Sequence, residues 1–312
     1  MNALELQTVR KTYNTGLTAL HGITLNVAAG DFFGLLGPNG AGKSTLIGIV
    51  SSLIRKTSGR VRIAGHDLDT NPWEAKSRLG LVPQEFNFNA FETVEQVLLN
   101  QAGFYGVPRR DARRRMRTLL AELRLDDKQH SVSRALSGGM KRRLMVARAL
   151  MHAPDVLILD EPTAGVDIEV RRSMWEFLQT INRRDGVTVI LTTHYLEEAE
   201  TLCRTIAIIN AGRIIEQSPT PELLRRLGRE SFLLDLASPL VAAPELGEIT
   251  CRLIAPARLE VEILHGQTIG DAFAALHHKN IEVLSLKNRS NRLEELFLDL
   301  VGETSSQQPE AS

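Results

Sequence analysis

Apolar positions in this chain begin at a strand's spacing, pass through a long stretch at a helix's spacing, and return to short solid runs. Leu4, Leu6 and Val9 roughly alternate with polar residues, Gly16 interrupts, and ITLNV (Ile23 to Val27) follows. This predicts strands at the start. AAGD (Ala28 to Asp31) reads as a turn, and FFGLLG (Phe32 to Gly37) is a short apolar run entering a glycine-rich loop. TLIGIVSSLI (Thr45 to Ile54) continues as a helix, and GRVRIAG (Gly59 to Gly65) and LGLVPQ (Leu79 to Gln84) read as two more strands.

From about Phe86 to Ala153 the β-branched content falls and helical periodicity takes over, as in a helical insertion. Thr93 followed by Gln96 forms a capping box before VLLNQAGFYG. Ala112, Met116, Leu119, Leu120 and Leu123 share one helical face, and Arg110, Arg113, Arg114 and Arg117 share the opposite one. That arginine group reads as a solvated face. Ser137 is placed to cap the helix that SGGMKRRLMVARALM starts. VLILD (Val156 to Asp160) and VTVILTT (Val187 to Thr193) are continuous apolar runs, as in strands covered on both faces. Helices are expected at Arg171 to Asn182 and Leu196 to Cys203, and a hairpin at Thr205 to Gln217 turning at Asn210 to Gly212.

Pro219 and Pro221 mark a boundary. We expect one large domain over 1–218, with its helical part at about 86–153. A small α+β domain over 219–302 and a disordered tail over 303–312 follow. In the small domain, strands are expected at Ser231 to Ala237, Arg258 to Leu264 and Ile281 to Lys287. Its helices are expected at Ile269 to Lys279 and Leu293 to Gly302.

Composition changes the picture in two ways. Across 312 residues, Lys plus Arg and Asp plus Glu each number 37. The formal charge is zero, which counts against a nucleic-acid partner. No window of about 18 apolar residues is found, so no membrane-spanning helix is expected. The first residues hold charges throughout, so no signal peptide is expected. Cys203 and Cys251 lack metal spacing and suit reduced thiols.

Five short motifs carry the chemistry. GPNGAGKST runs from Gly37 to Thr45 between a strand and a helix. Gly37, Gly40 and Gly42 let the backbone turn tightly and aim successive N–H groups inward, with Pro38, Asn39 and Ala41 completing the loop. The helix start adds roughly half a positive charge. Lys43 is suited to bridge β- and γ-phosphates, Ser44 to coordinate Mg²⁺, and Thr45 to reach the α-phosphate. Asp160, at the exit of a buried strand, suits a magnesium ligand, directly or through water, and Glu161 a base that polarises attacking water. Gln84 follows its own strand and suits both the metal and the water. His194 follows VTVILTT and suits the γ-phosphate. LSGGM (Leu136 to Met140) supplies a second anion site from Ser137 and the N–H groups of Gly138 and Gly139. A chain already holding one phosphate site needs a second only if it serves a partner. A two-fold, head-to-tail pair in which each Ser137 closes over the other chain's ATP satisfies that condition.

Together these motifs resemble the ATP-binding cassette (ABC) ATPases over about residues 4 to 217. The resemblance implies an α/β fold: a P-loop NTPase core, an N-terminal antiparallel β subdomain, a helical insertion and a small C-terminal α+β domain. It further implies that Tyr13 stacks on adenine, and that Ala164 to Asp167 crosses a dimer interface, with Asp167 near nucleotide. It also implies that the loop after Gln84 receives a coupling helix from a membrane permease. Two positions depart from the family pattern: Met140 stands where Gln is usual, and AGVD where SALD is common. The C-terminal region with LEELFLDLVG resembles the exporter subfamily that pairs with ABC-2 type permeases. The expected partners are a second copy of the chain and such a permease, not nucleic acid. The expected location is the cytoplasmic face of the inner membrane. A soluble cassette acting on nucleic acid or ribosomes would need two cassettes or a coiled-coil insert, and the span from Lys43 to Ser137 has no sustained heptads. A pure ATP sensor would have lost the Asp160–Glu161 pair, which is intact.

Overall fold

The structure is a computed structural model and describes residues 1–163, 165–193, 195–225, 229–264, 266–288 and 293. The chain divides into two compact units, Met1–Pro219 and Thr220–Ser312. The first unit opens with β1 (Asn2–Thr12), β2 (Thr18–Ala28), β3 (Phe32–Leu36), α1 (Lys43–Val50), β4 (Ser58–Ile63), β5 (His66–Asp67), α2 (Pro72–Ser77) and β6 (Leu79–Val82). A helical stretch follows: α3 (Val94–Phe104), α4 (Arg109–Glu122), two short 3-10 turns and α5 (Gly138–Ala149). It closes with β7 (Val156–Asp160), α6 (Ile168–Asp185), β8 (Thr188–Thr192), α7 (Leu196–Leu202), β9 (Thr205–Asn210) and β10 (Arg213–Pro219).

Among the described residues, this unit builds two sheets. One is antiparallel, in the order β2-β1-β4-β5. The other runs β10-β9-β3-β8-β7-β6, parallel except for the β10 edge. β3 lies between β8 and β9, and β7 lies between β8 and β6. The loops leaving β3, β6, β7 and β8 therefore open at one edge of a single parallel sheet, the place such sheets reserve for ligands. The all-apolar burial of β3 and β8 explains their lack of alternation.

A single buried core joins the sheets to α1: Leu46, Ile47, Ile49 and Val50 cluster with Leu6, Ile23 and Val61 of one sheet and Phe33, Ile158 and Ile209 of the other. Each such side chain contributes about 1.5–3 kcal/mol by leaving water. α1 ends at Val50, four residues short of its expected end. The Ser51 hydroxyl donates to the Ile47 carbonyl at 2.8 Å and Ser52 turns left-handed at φ 61°. The Ile54 N–H then returns to the Gly48 carbonyl at 2.8 Å. Serine's local hydrogen bonding has overridden the apolar period. A buried amide secures α6: Asn182 Nδ2 donates to the carbonyls of Gly30, Asp31 and Val187 at 3.0, 3.2 and 2.8 Å. One side chain thus holds α6 to the entrances of β3 and β8.

The helical stretch forms as its pattern predicts. Thr93 and Gln96 make the full capping box. Ala112, Met116, Leu119, Leu120 and Leu123 are buried while Arg110, Arg113, Arg114 and Arg117 are exposed. The Tyr105 ring, at the end of α3, stacks on His152 with centroids 3.7 Å apart. His152 Nε2 bonds the Leu79 carbonyl of β6 at 3.0 Å, pinning helices to the central sheet.

The second unit contains α8 (Thr220–Arg225), β11 (Arg229–Leu236), β12 (Thr250–Ala255), β13 (Arg258–Leu264), α9 (Ile269–His278) and β14 (Val283–Asn288). Its antiparallel sheet runs β12-β13-β11-β14. Leu234, Leu259, Val261, Ala272 and Leu276 form its core. Pro221 lies in the first turn of α8, where proline starts a helix instead of stopping one. The helix expected over 293–302 and the tail lie outside the described residues beyond Leu293, which is helical.

The His152 stack makes a pH prediction. Burial holds the His152 pKa down to about 4 from its ordinary 6.5, against the opposing pull of the Leu79 bond. The folded state therefore takes up a proton later than the unfolded state as pH falls. This contribution is full above pH 6.5 and is lost as pH falls from 6.5 through about 4. Urea midpoints measured across that window should show a loss on the order of 2 kcal/mol, and His152→Gln should remove that part of the slope.

Candidate active site

The loop after β3 is built around a position that admits no side chain. A Cβ on Gly37 would lie 2.3 Å from the Ile209 carbonyl oxygen of β9. Gly42, at φ 108°, would place one 2.8 Å from Leu20 and 3.0 Å from the Ala19 carbonyl. The hairpin joining β9 to β10 supports the loop from behind, with the Gly212 N–H donating to the Ala41 carbonyl at 2.9 Å. Gly42 is the N-cap of α1 and supplies no side-chain cap, so the first-turn N–H groups face whatever enters the loop. Pro38 is half-buried, and Asn39, Gly40 and Ser44 are exposed.

Lys43, the first residue of α1, is buried. Its ammonium donates to the carbonyls of Gly37 at 2.6 Å and Pro38 at 3.0 Å, so lysine and loop hold each other. Burial lowers its pKa from the ordinary lysine value, and the charges of Glu161 and Asp160 pull it back up. Thr45 meets the Tyr13 hydroxyl at 3.2 Å, and the Lys11 ammonium lies 4.8 Å over the Tyr13 ring.

Asp160 ends β7, and Glu161 leaves the strand at φ 47°, a left-handed conformation that costs a non-glycine residue about 1–3 kcal/mol. Thr192, at the end of β8, holds this turn. Its hydroxyl donates to Asp160 Oδ1 at 2.6 Å, and it accepts from the Glu161 N–H at 3.2 Å. Its carbonyl accepts from the same N–H at 3.0 Å. Gln84, past β6, donates from Nε2 to Glu161 Oε2 at 3.2 Å, leaving its amide oxygen for another partner. Three strands thereby deliver Gln84, Asp160, Glu161 and Lys43 to one cluster.

Ser137 caps α5 by accepting from the Met140 N–H at 3.3 Å, which leaves its own O–H free to donate. Asp167 caps α6 through the Val170 N–H at 2.9 Å. A Cβ on Gly139 would lie 3.1 Å from Val170, so the starts of α5 and α6 are packed together. Among the described residues, no hydrogen bond joins Ser137, Gly138, Gly139 or Asp167 to the Lys43 cluster. His194 and Ala164 lie outside the described residues.

A family model described as ABC transporter matches residues 20–164. The linearmycin resistance ATP-binding protein of Bacillus subtilis is 34% identical across 96% of this chain and 99% of its own length. The Nod factor export ATP-binding protein I of Paraburkholderia xenovorans is 36% identical across 96% of this chain and 97% of its own. The chain belongs to the ABC transporter family. Its fold also matches a dimeric ATP-binding cassette in a post-hydrolysis state bound to ADP and Pi, with TM-score 0.63 and 28% identity over 70% of this chain and 98% of that one. As a member of that family it is an ATP-binding ABC ATPase of the exporter type.

Several residues of this cassette carry structure that no motif announced. Thr192 was legible only as part of an apolar run. Glu198 of α7 is fully buried and accepts on Oε1 from Thr163 at 2.5 Å and Trp175 at 2.8 Å. It ties the segment after Glu161 to α6 and α7, with the Trp175 indole N–H as one of its donors. Arg142 of α5 is buried against the backbone of Gln84. The ABC ATPase should respond sharply to Thr192→Val, which keeps the shape and loses the hydroxyl's bonds to Asp160, to the Glu161 N–H and to the Leu159 carbonyl. We expect ATP turnover to fall about tenfold or more, with a stability loss of about 1 kcal/mol. Phosphate release and urea unfolding on the same preparation check both.

Proposed function

We propose that this chain is the ATP-hydrolysing subunit of an exporter, acting in pairs on a separate membrane permease. The supporting observation is the presence of two helix starts suited to anions in one chain: α1 behind Gly42, and α5 behind Ser137. Among the described residues, the charges of Asp160 and Glu161 act directly on Lys43 at the first start, while no hydrogen bond joins Ser137 at the second to either acid. The second is free to serve another chain's nucleotide. Support for pairing also comes from the matched cassette structure, which is dimeric. Relatives named for linearmycin resistance and Nod factor export support export and a permease partner. No helix among the described residues is long and apolar enough to cross a membrane. The permease would then hold the chain at the cytoplasmic face of the inner membrane.

In this reading Tyr13 lies against adenine, and Gly37, Asn39, Gly40, Ala41 and Gly42 wrap the β- and γ-phosphates with backbone N–H groups, Pro38 shaping the turn without donating. Lys43 exchanges the carbonyls of Gly37 and Pro38 for phosphate oxygens, so the site is pre-shaped and binding replaces bonds already made. Thr45 reaches the α-phosphate. The oxygen donors present suit Mg²⁺: the exposed Ser44 hydroxyl, the Asp160 carboxylate and the free Gln84 amide oxygen. Bound there, the ion would neutralise charge developing on the phosphates. Glu161, left-handed and aimed by Thr192 and Gln84, accepts the proton of the attacking water. His194 donates to the γ-phosphate, and the partner's Ser137, Gly138 and Gly139 groups, with Asp167 near the interface, close the far side. ATP then joins the two chains, and its hydrolysis releases them.

Glu161→Gln should bind ATP normally, turn over about 10²–10⁴-fold more slowly and accumulate as a dimer. Gel filtration with ATP and Mg²⁺ that shows only monomer would overturn the paired site. Lys43→Ala should weaken nucleotide binding roughly tenfold or more, since charge-assisted hydrogen bonds contribute about 1.5–3 kcal/mol. Unchanged affinity in a fluorescent-ATP titration would remove the lysine from its role.

A further inference from the structure

We propose that Arg142 is a positioning residue that locks helix α5, and with it Ser137, to the backbone of Gln84, so that each chain's own ATP site sets the pose of the surface it offers its partner's. The inference rests on the paired-site reading above.

Arg142 lies five residues beyond Ser137 on α5 and is 4% exposed. Its guanidinium forks across two consecutive carbonyls: Nη1 donates to Pro83 at 2.8 Å and Nη2 to Gln84 at 2.7 Å. Two bonds from one rigid plane fix both the distance and the angle between α5 and the segment leaving β6. The Phe86 ring covers the guanidinium from 5.2 Å. The Gln84 side chain carries the connection on to Glu161 Oε2 at 3.2 Å. An unbroken series therefore runs from the Ser137 cap through α5, Arg142 and Gln84 to the water-activating carboxylate.

Plain packing does not account for this arginine. Among the described residues Arg142 has no ion pair, and its Nε has no hydrogen-bond partner. Burial pulls its pKa below the ordinary value, and Asp160 opposes that only through its field. An isolated buried cation is costly where an apolar side chain of similar length would fill the space. Arg148, also on α5, provides the contrast. It grips the same loop farther on, donating to the carbonyl and side chain of Asn87, and among the described residues no hydrogen bond joins it to Gln84.

The test uses the full chain with ATP and Mg²⁺. Arg142→Met should keep fluorescent-ATP affinity within about twofold, cut kcat about tenfold or more at unchanged KM, and abolish cooperativity in ATP. Combined with Glu161→Gln, it should no longer accumulate as a dimer on gel filtration. Arg142→Lys retains charge without the fork and should recover part of the turnover; it carries the test alone if the methionine variant fails to fold. Arg148→Gln should destabilise the loop without preventing the trapped dimer. Trapping by Glu161→Gln/Arg142→Met at the ATP concentration that traps Glu161→Gln alone overturns the inference. So does a parallel loss of ATP affinity and melting temperature in Arg142→Met and Arg148→Gln. If Glu161→Gln alone stays monomeric while Arg142→Met still loses kcat, the paired-site reading is the part that fails.

Discussion

The carbonyl oxygen of Ile209 lies where a side chain on Gly37 would begin. Only a residue without a side chain lets the backbone after β3 press this closely against β9, and the curvature of the phosphate loop depends on that approach. The loop is not a flexible glycine tract that folds around a ligand. It is clamped from behind by Gly212, closed from within by Lys43 and bounded below by Leu20 against Gly42. Pre-shaping of this kind matters because a triphosphate concentrates several charges in a small volume, and donors that need no rearrangement lose little free energy on meeting it.

The same economy extends across the sheet. β3, β6, β7 and β8 each end at the same edge, and each ends in a polar residue or loop that takes part in the cluster. The interiors of β3, β7 and β8 are apolar and buried, so their polar ends are held by strands that have no freedom to slide. Strain at Glu161 is tolerated for the same reason, because both hydrogen bonds that hold its N–H come from one rigid neighbour, Thr192. α5 and the turn that follows it join this assembly from the helical side through Arg142 and His152, which reach the exit and the entrance of β6.

Much of this was legible in the residues. Buried strands announced themselves as unbroken apolar runs, α3 by its capping box, α4 by its two faces, and the phosphate loop by glycine spacing between a strand and a helix. What escaped notice followed from two physical causes. Short elements such as β5, α2, α8 and β12 have too few residues to show a period, and α1 stopped early because serine hydroxyls competed for its carbonyls. The supporting shell of the site was hidden for a different reason. Thr192, Glu198 and Arg142 act through partners more than 20 positions away in sequence, and a threonine inside VILTT or an arginine inside KRR carries no local mark of such a role.

One hydroxyl on Thr192 serves both acidic neighbours, giving to one and receiving from the other's backbone. Asp160 and Glu161 are therefore mechanically a single body, and any sideways creep of β8 would displace both carboxylates together. Damage at that strand could not be repaired by adjusting either acid in turn. Substitutions at the three positions should be strongly non-additive, with the first injury taking most of the loss and the later ones adding little.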